Sequence, residues 1–360
     1  MIEFRLDPEL ELLRDTARHF AGEQLRPHDR DHEAARAVAA PARRAYAEIG
    51  LAALQWPESL GGAGLGALAR ALVLEELGAA DAGAALALDP LGAAFHALAE
   101  CGEEAALRAH AAPLLECDGA RALLVWNGAR YVTLANGRAN GVVPWVPADR
   151  ADLVVLLDAD SVAVIDAGVT ATPLRGAGLR AAGASELRFA DAPVRAWWVD
   201  PVGARRALAR ARLDLAALGV GVMRAAAEFS RSYAQQRVAF GKPIAHHQAL
   251  AFLITDMAAA VEGTRLVVYE AALRLERGDD ATEACATAFL EAAEQALFVT
   301  PNAVQILGGH GFMQDYPVEK WMREARALGL LLGGVDAARE DAGRTLLDTD
   351  APLDAIGARA

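Results

Sequence analysis

The sequence predicts an α+β fold in three parts: a helical N-terminal domain, a small β middle domain in the form of a sheet or a barrel, and a C-terminal four-helix bundle. Two changes of hydrophobic period carry this prediction. Apolar residues recur at helical spacing over residues 1–117, shift to short β-forming runs over 118–203, and return to helical spacing over 204–347. A third observation is negative: no β-forming run is followed by a helix-length segment, which argues against a parallel βαβ sheet. Residues 348–360 read as a frayed tail.

In the first part Leu10, Leu13, Ala17, Phe20 and Ala21 share one helical face. Asp7-Pro8 offers an N-cap followed by proline at the first helical position. Residues 61–66, after Trp56-Pro57, form a glycine-rich loop. Helices resume over 67–77 and from Leu91 to Leu98. In the second part the strands fall at 122–126, 131–134, 141–146, 153–157, 162–165 and 186–189, separated by Gly, Asn, Asp and Pro at near-regular spacing. In the third, Leu215, Leu218, Val222, Phe229 and Tyr233 line one face of a long helix, and Leu253, Met257, Val261 and Val268 line the next. Residues 281–304 supply a third helix, and a last one follows Gly334, giving the pattern of a bundle.

Composition narrows the function. Of 360 residues 54% are hydrophobic, ample for a core, so a disordered chain is excluded. The 35 basic and 48 acidic residues leave a net charge of −13, which argues against binding nucleic acid or an anionic membrane. A phosphate-bearing ligand must then be met by local arginines and backbone N–H groups. Cys101, Cys117 and Cys285 are odd in number, far apart and without a CxxC spacing. They read as buried or incidental thiols of a reducing compartment. With no signal-like start and no uncharged apolar run of membrane length, the expectation is a cytoplasmic globular protein.

Several motifs have bland readings. GxGxxA occurs at 64–69 and 176–181, but the first follows no strand and the second opens no helix, so neither has the setting of a dinucleotide site. His28 and His32 have the spacing of a helical metal pair, yet they lie in a run of charges without a third ligand and read as a solvated face. His246 and His247 are adjacent and point to different faces. No metal site is expected.

Two stretches of the C-terminal part carry more. In the first, Tyr233-Ala-Gln-Gln-Arg237-Val-Ala-Phe240-Gly241-Lys242-Pro243-Ile244 with Gln248, a helix ends at Gly241. Arg237 there either caps the negative helix pole or presents a guanidinium fork to a phosphate beside an aromatic ring. In the second, Gln305-Ile-Leu-Gly308-Gly309-His310-Gly311-Phe312, three glycines follow a long helix. They either make a wide turn or let backbone N–H groups approach a ligand.

Together with Tyr316-Pro317-Val318-Glu319-Lys320-Trp-Met-Arg323-Glu-Ala-Arg326, these stretches resemble the signature of the FAD-dependent acyl-CoA dehydrogenases. The likeness runs through nearly the whole chain, including Trp56-Pro57-Glu58 with Gly61-Gly62, Glu75-Glu76-Leu77-Gly78 and residues 179–192. It implies an acyl-CoA dehydrogenase-like fold, with a helical N-domain, a small β-barrel middle domain and a C-terminal four-helix bundle, in agreement with the periods. It also implies FAD as cofactor, an acyl-CoA substrate desaturated between its α and β carbons, and an electron-transfer flavoprotein as acceptor. The family's clamp on the ADP half of FAD, bound mainly by a neighbouring subunit, carries over to Arg237, Phe240, Gln248, Gln305, Gly308 and Gly309.

The departures are concentrated. Counting from Met322–Arg326, the family's catalytic glutamate falls on Leu332, and the alternative position on the first bundle helix falls on Ala211, beside Arg212. Neither can take a proton, so no catalytic residue is assigned. Glu324 and Glu340 are nearby but at scaffold-like helical positions. The loop that grips the flavin ring should lie near Leu124, where the sequence is Leu-Val-Trp126-Asn-Gly, without the family's Glu-Pro or Ser-Asp. The family's Trp-Ile-Thr survives as Trp145-Val146-Pro147, and proline has lost both the hydroxyl and the N–H. Trp145 either packs on a ring or, as the favoured reading, is a core tryptophan. The resemblance therefore implies a base-less subunit, like that of α₂β₂ acyl-CoA dehydrogenases with two flavins, that pairs with a homologous subunit. The alternatives are a self-sufficient homo-oligomer with a relocated base, and a non-catalytic scaffold of a dehydrogenase complex.

Overall fold

The computed structural model describes residues 6–347; the predicted tail at 348–360 lies outside them. The first part is helical, with α1 (Pro8–Phe20), α2 (Asp29–Ala35), α3 (Ala40–Glu48), α4 (Ala67–Leu88), α5 (Ala94–Ala106) and α6 (Ala112–Leu115). Asp7 caps α1 as expected, its carboxylate accepting the Glu9 N–H at 2.9 Å. Helix α4 is buried almost all round because α1, α7 and α8 enclose it. It breaks at Asp81, whose backbone is extended and whose carboxylate accepts the Ala84 N–H at 2.9 Å, recapping the second half.

The middle part is an open seven-stranded sheet, not the expected barrel. Its strands are β1 (Ala122–Trp126), β2 (Val132–Ala135), β3 (Arg138–Val146), β4 (Leu153–Leu157), β5 (Ser161–Ile165), β6 (Val169–Pro173) and β7 (Ser185–Val199). The order is β1-β4-β5-β7-β3-β2, with β6 also on β7. Strand β7 has 15 residues and serves two groups of strands: its first half pairs β3 and β6, its second half β5. The two groups share one core through Leu123, Val125 and Ile165 on one side and Val143, Leu187 and Phe189 on the other. They therefore stack as layers, and no pairing joins β1 to β2 among the described residues.

Sequence reading shortened β7 to 186–189 because Asp191 (φ 49°) and Pro193 interrupt its alternation. It missed β6, whose residues are mostly exposed. Strands β1 and β4 pair in parallel through the β2–β3 crossover, without a βαβ unit.

The last part contains α7 (Pro201–Gln236), a two-residue ribbon of β8 (Val238–Ala239) and β9 (Lys242–Pro243), α8 (Gln248–Glu276), α9 (Thr282–Leu307), α10 (Val318–Leu328) and α11 (Gly334–Leu347). Asp200 caps α7, accepting the N–H groups of Val202 and Gly203 at 3.1 and 2.9 Å. The predicted inward face of α7 is inward: Leu215, Leu218 and Val222 are buried. Helices α7 and α4 touch backbone to backbone. A Cβ on Gly221 would lie 2.1 Å from the Glu75 carbonyl oxygen, and one on Gly78 would lie 2.5 Å from that of Leu218. Neither neighbour is a flexible side-chain tip, so Gly221→Ala should separate the helices and cost about 1–3 kcal/mol. Urea unfolding of the variant checks this; an unchanged midpoint would show that the contact is slack.

Candidate functional site

Where the end of α4, the start of β1, strand β3, the middle of α7 and the turn at 330–333 converge, they enclose a cavity of about 750 Å³. Its walls are mainly apolar, including Leu123, Val143, Val146, Leu215 and Leu218. Trp126 and Trp145 also line it, so the half-buried Trp145 faces the chamber, which departs from the favoured core reading and agrees with the alternative that leaves it beside a ligand. The turn is held in an unusual backbone state. Leu332 has φ 52° and ψ 38°, left-handed for a branched side chain, and Gly333 and Gly334 follow at φ 86° and 65°. A Cβ on Gly333 would meet the Trp126 ring at 2.6 Å, so that glycine lets the indole press on the turn.

Ala211 and Leu332 both line this cavity. The carboxylates in its walls, among the described residues, are Asp89 and Asp214, and both are engaged. Arg70 donates from Nε to Asp214 at 2.8 Å and from Nη2 to Asp89 at 2.7 Å. Asp214 also meets His96 Nε2 at 2.9 Å, and Asp89 accepts the N–H groups of Leu91 and Gly92. Burial alone would raise the Asp214 carboxyl. The Arg70 charge and the His96 ring more than offset it and hold the group below the ordinary carboxylate range.

Neither glutamate considered as a relocated base reaches the cavity walls. Glu324 is fully buried and paired with Lys320 at 2.6 Å, and Lys320 also meets Asp81 at 3.1 Å. Burial pushes the Glu324 carboxyl up to about 7, with the Lys320 ammonium pulling the other way. Glu340 is exposed on α11, accepting from Arg344. Arg212 is buried and donates to Asp341 at 2.7 Å. The His28–His32 pair is not a uniform solvated face: His32 is buried, and neither of its ring nitrogens has a partner. No cluster fit for a metal occurs among the described residues.

A second, smaller groove of about 390 Å³ opens on the bundle surface, lined by Phe229, Tyr233, Gln236, Arg237, His310 and Tyr316. Tyr233 Oη and His310 Nδ1 are 2.8 Å apart, and the His310 ring stacks on Tyr316 with centroids 5.0 Å apart. The groove brings Arg237 against the turn of the glycine motif (Gly308–Phe312), which carries His310. Arg237 is the C-cap residue of α7, its backbone N–H donating to the Tyr233 carbonyl at 2.8 Å, while its exposed guanidinium has no hydrogen bond or ion pair among the described residues. Gln305, Gly308, Gly309 and Gln248 are exposed but are not among the residues that line the groove. Phe240 is 93% exposed at φ 54° on the β8–β9 turn, outside the groove lining.

Sequence reading gave no role to Tyr233, His310 and Tyr316, although all three lie in the quoted motifs. It missed Arg70, Asp89, His96 and Asp214 altogether, because isolated charges on alanine-rich helices look solvated until the helices are packed.

Family models described as "Acyl-CoA dehydrogenase, N-terminal domain" and "Acyl-CoA dehydrogenase, C-terminal domain" match residues 7–117 and 203–347. Cyclohex-1-ene-1-carbonyl-CoA dehydrogenase of Geobacter metallireducens is 31% identical, over 95% of this chain and 99% of that protein. The solved butyryl-CoA dehydrogenase from Megasphaera elsdenii superposes with a TM-score of 0.85 at 25% identity, over 96% of this chain and all of that one. A chain in the structure of the electron transferring flavoprotein of Acidaminococcus fermentans gives a TM-score of 0.87 at 26% identity, covering 97% of this chain and 100% of its own length.

A carboxyl held low in the folded state contributes stability that is present above its unfolded pKa and lost as pH falls through the folded one. Asp214→Asn strips Arg70 of one of its two carboxylates, and should cost about 3–5 kcal/mol at neutral pH. It should also flatten the loss of stability on acidification below about pH 4. Urea unfolding across a pH series reads both; an acid limb identical to that of the parent would refute the assignment.

Proposed function

The chain belongs to the acyl-CoA dehydrogenase family, and from that membership we propose that it is one subunit of an FAD-dependent acyl-CoA dehydrogenase whose proton acceptor is supplied by a homologous partner. Proteins of this family are FAD-dependent flavoproteins. The observation that carries the proposal is the cavity wall. Leu332 and Ala211, the positions that counting along the motifs aligns with the family's base, line it with hydrocarbon, and the two wall carboxylates are tied to Arg70. A general base must reach the proton it removes, and a carboxylate locked to a guanidinium and held at low pKa is a poor one.

The two ends of a bound FAD meet different conditions in this chain. At the nucleotide end the residues suit it: Arg237 is exposed and uncommitted, and residues 308–309 offer glycine backbone without side chains. Arg237, Phe240, Gln248, Gln305, Gly308 and Gly309 are proposed to hold the ADP half of a flavin seated mainly in the partner. At the ring end they do not: Pro147 has no N–H to donate, its carbonyl accepts from Arg121 at 3.4 Å, and the Trp126 indole presses on Gly333. When bound, the flavin supplies the hydride acceptor of the α,β-desaturation. This chain's part is to fix the nucleotide and complete the partner's site.

Exposed apolar side chains on the bundle support an oligomer, notably Phe252 at 60%, Leu266 at 58% and Phe312 at 75%. Likeness to a chain in the structure of an electron transferring flavoprotein supports a carrier of that kind as electron acceptor. No helix among the described residues is long and apolar enough to cross a membrane.

Expression of the chain alone, and together with a family member that carries the glutamate, tests the proposal. Flavin absorbance and acyl-CoA oxidation are expected only in the second case; a yellow, active lone chain rejects it. In the complex, Arg237→Ala removes a charge-assisted phosphate contact of about 1.5–3 kcal/mol, so FAD should dissociate about 10- to 150-fold more readily. Flavin content after gel filtration measures this.

A further inference from the structure

Arg121, immediately before β1, is a buried guanidinium that forms no ion pair among the described residues, although Asp149, Asp89 and Asp152 lie near enough to act on its charge. It is 5% exposed and lines the large cavity. Its backbone N–H donates to Asp152 at 2.9 Å, which fixes the main chain but leaves the side chain free. Of the guanidinium nitrogens, Nη2 has one long bond, 3.4 Å, to the Pro147 carbonyl, and Nε has none. No carboxylate forms an ion pair with it among the described residues. Asp89, at the same end of the cavity, is taken by Arg70 and two backbone N–H groups, and Asp152 by the Arg121 N–H and Arg150. The contrast with Arg70 is direct: Arg70 faces the same chamber with two carboxylates in hand. Burial pulls the Arg121 pKa below the ordinary arginine range, which marks how poorly the charge is compensated.

A buried charge is ordinarily paired and hydrogen-bonded, because an isolated one is costly to keep from water. A planar guanidinium fork with free donors suits a carboxylate held by two parallel bonds. Beyond Arg121 the walls are Leu123, Val143, Val146, Leu215 and Leu218, in a volume typical of small-molecule sites. We propose that this chain's own cavity binds an apolar molecule or acyl group that carries a carboxylate at its buried end, with Arg121 as the receptor for that carboxylate. The assignment rests on the cavity itself and stands whether or not a partner supplies the proton acceptor.

The test is calorimetric titration of the full chain, as purified and in complex, with octanoate, octan-1-ol and inorganic phosphate, comparing the parent with Arg121→Met and Arg121→Lys. Methionine keeps apolar volume and removes a poorly compensated charge, so Arg121→Met should fold and melt no lower than the parent. Octanoate should bind the parent and raise its Tm. Its affinity should fall tenfold or more in Arg121→Met and recover partly in Arg121→Lys, while octan-1-ol binds all three alike. Octanoate binding that ignores the Met substitution, or phosphate binding as tight as octanoate, overturns the proposal. A marked fall in Tm for Arg121→Met without ligand also overturns it, since that would make the guanidinium a structural strut. Flavin content is read on the same samples, so failure here is separable from failure of the subunit assignment.

Discussion

The backbone contact between α4 and α7 is the constraint from which the rest of the structure follows. Gly78 and Gly221 let the two helices approach until carbonyl oxygens lie where side chains would be. The same helices supply Arg70, with Asp89 at the C-terminal cap of α4, from one side and Ala211, Asp214 and Leu215 from the other. The ion pairs across the cavity are thus set by helix separation, and a shift of an ångström would break the Arg70–Asp214 bond. The sheet and the 330–333 turn then close a chamber whose rear wall is already rigid.

The chain's two candidate sites differ in how their polar groups are used. In the cavity, carboxylates are saturated by arginine, histidine and backbone donors, and the buried Arg121 is left without an ion pair among the described residues. In the bundle groove, the Arg237 guanidinium has no internal partner, and the ring stack of His310 on Tyr316 stands beside it. Internal pairing marks groups that build the fold, and missing pairing marks groups that await something else. By that criterion the groove and Arg121 are the receptive places, and Asp214 and Glu324 are structural despite their carboxyl chemistry.

Much of the helical architecture was legible in the sequence because period and caps are local. Asp7-Pro8 and the α7 face through Leu215, Leu218 and Val222 needed only neighbours along the chain, whereas the helix stops at Gln236, five residues before the expected Gly241, because residues 238–243 pair as a ribbon. The middle part was less legible. Strand β7 is held by partners on both edges despite Asp191 and Pro193, and β6 pairs with its mostly exposed residues, so tertiary pairing overrides local pattern. Whether the sheet closes depends on how two groups of strands stack, which no alternation encodes. At the site, the glycine and arginine motifs were visible because they are contiguous. The Arg70–Asp89–Asp214–His96 network was not, since its members lie up to 144 residues apart.

The Phe240 ring, almost wholly in solvent at the tip of a two-residue ribbon, has a consequence for how such a protein lives in a cell. An aromatic left uncovered beside other apolar side chains is an adhesive surface until something seats on it. An unassembled copy would then be prone to clump or to be removed by quality control. Production of the chain would have to keep step with whatever covers that ring.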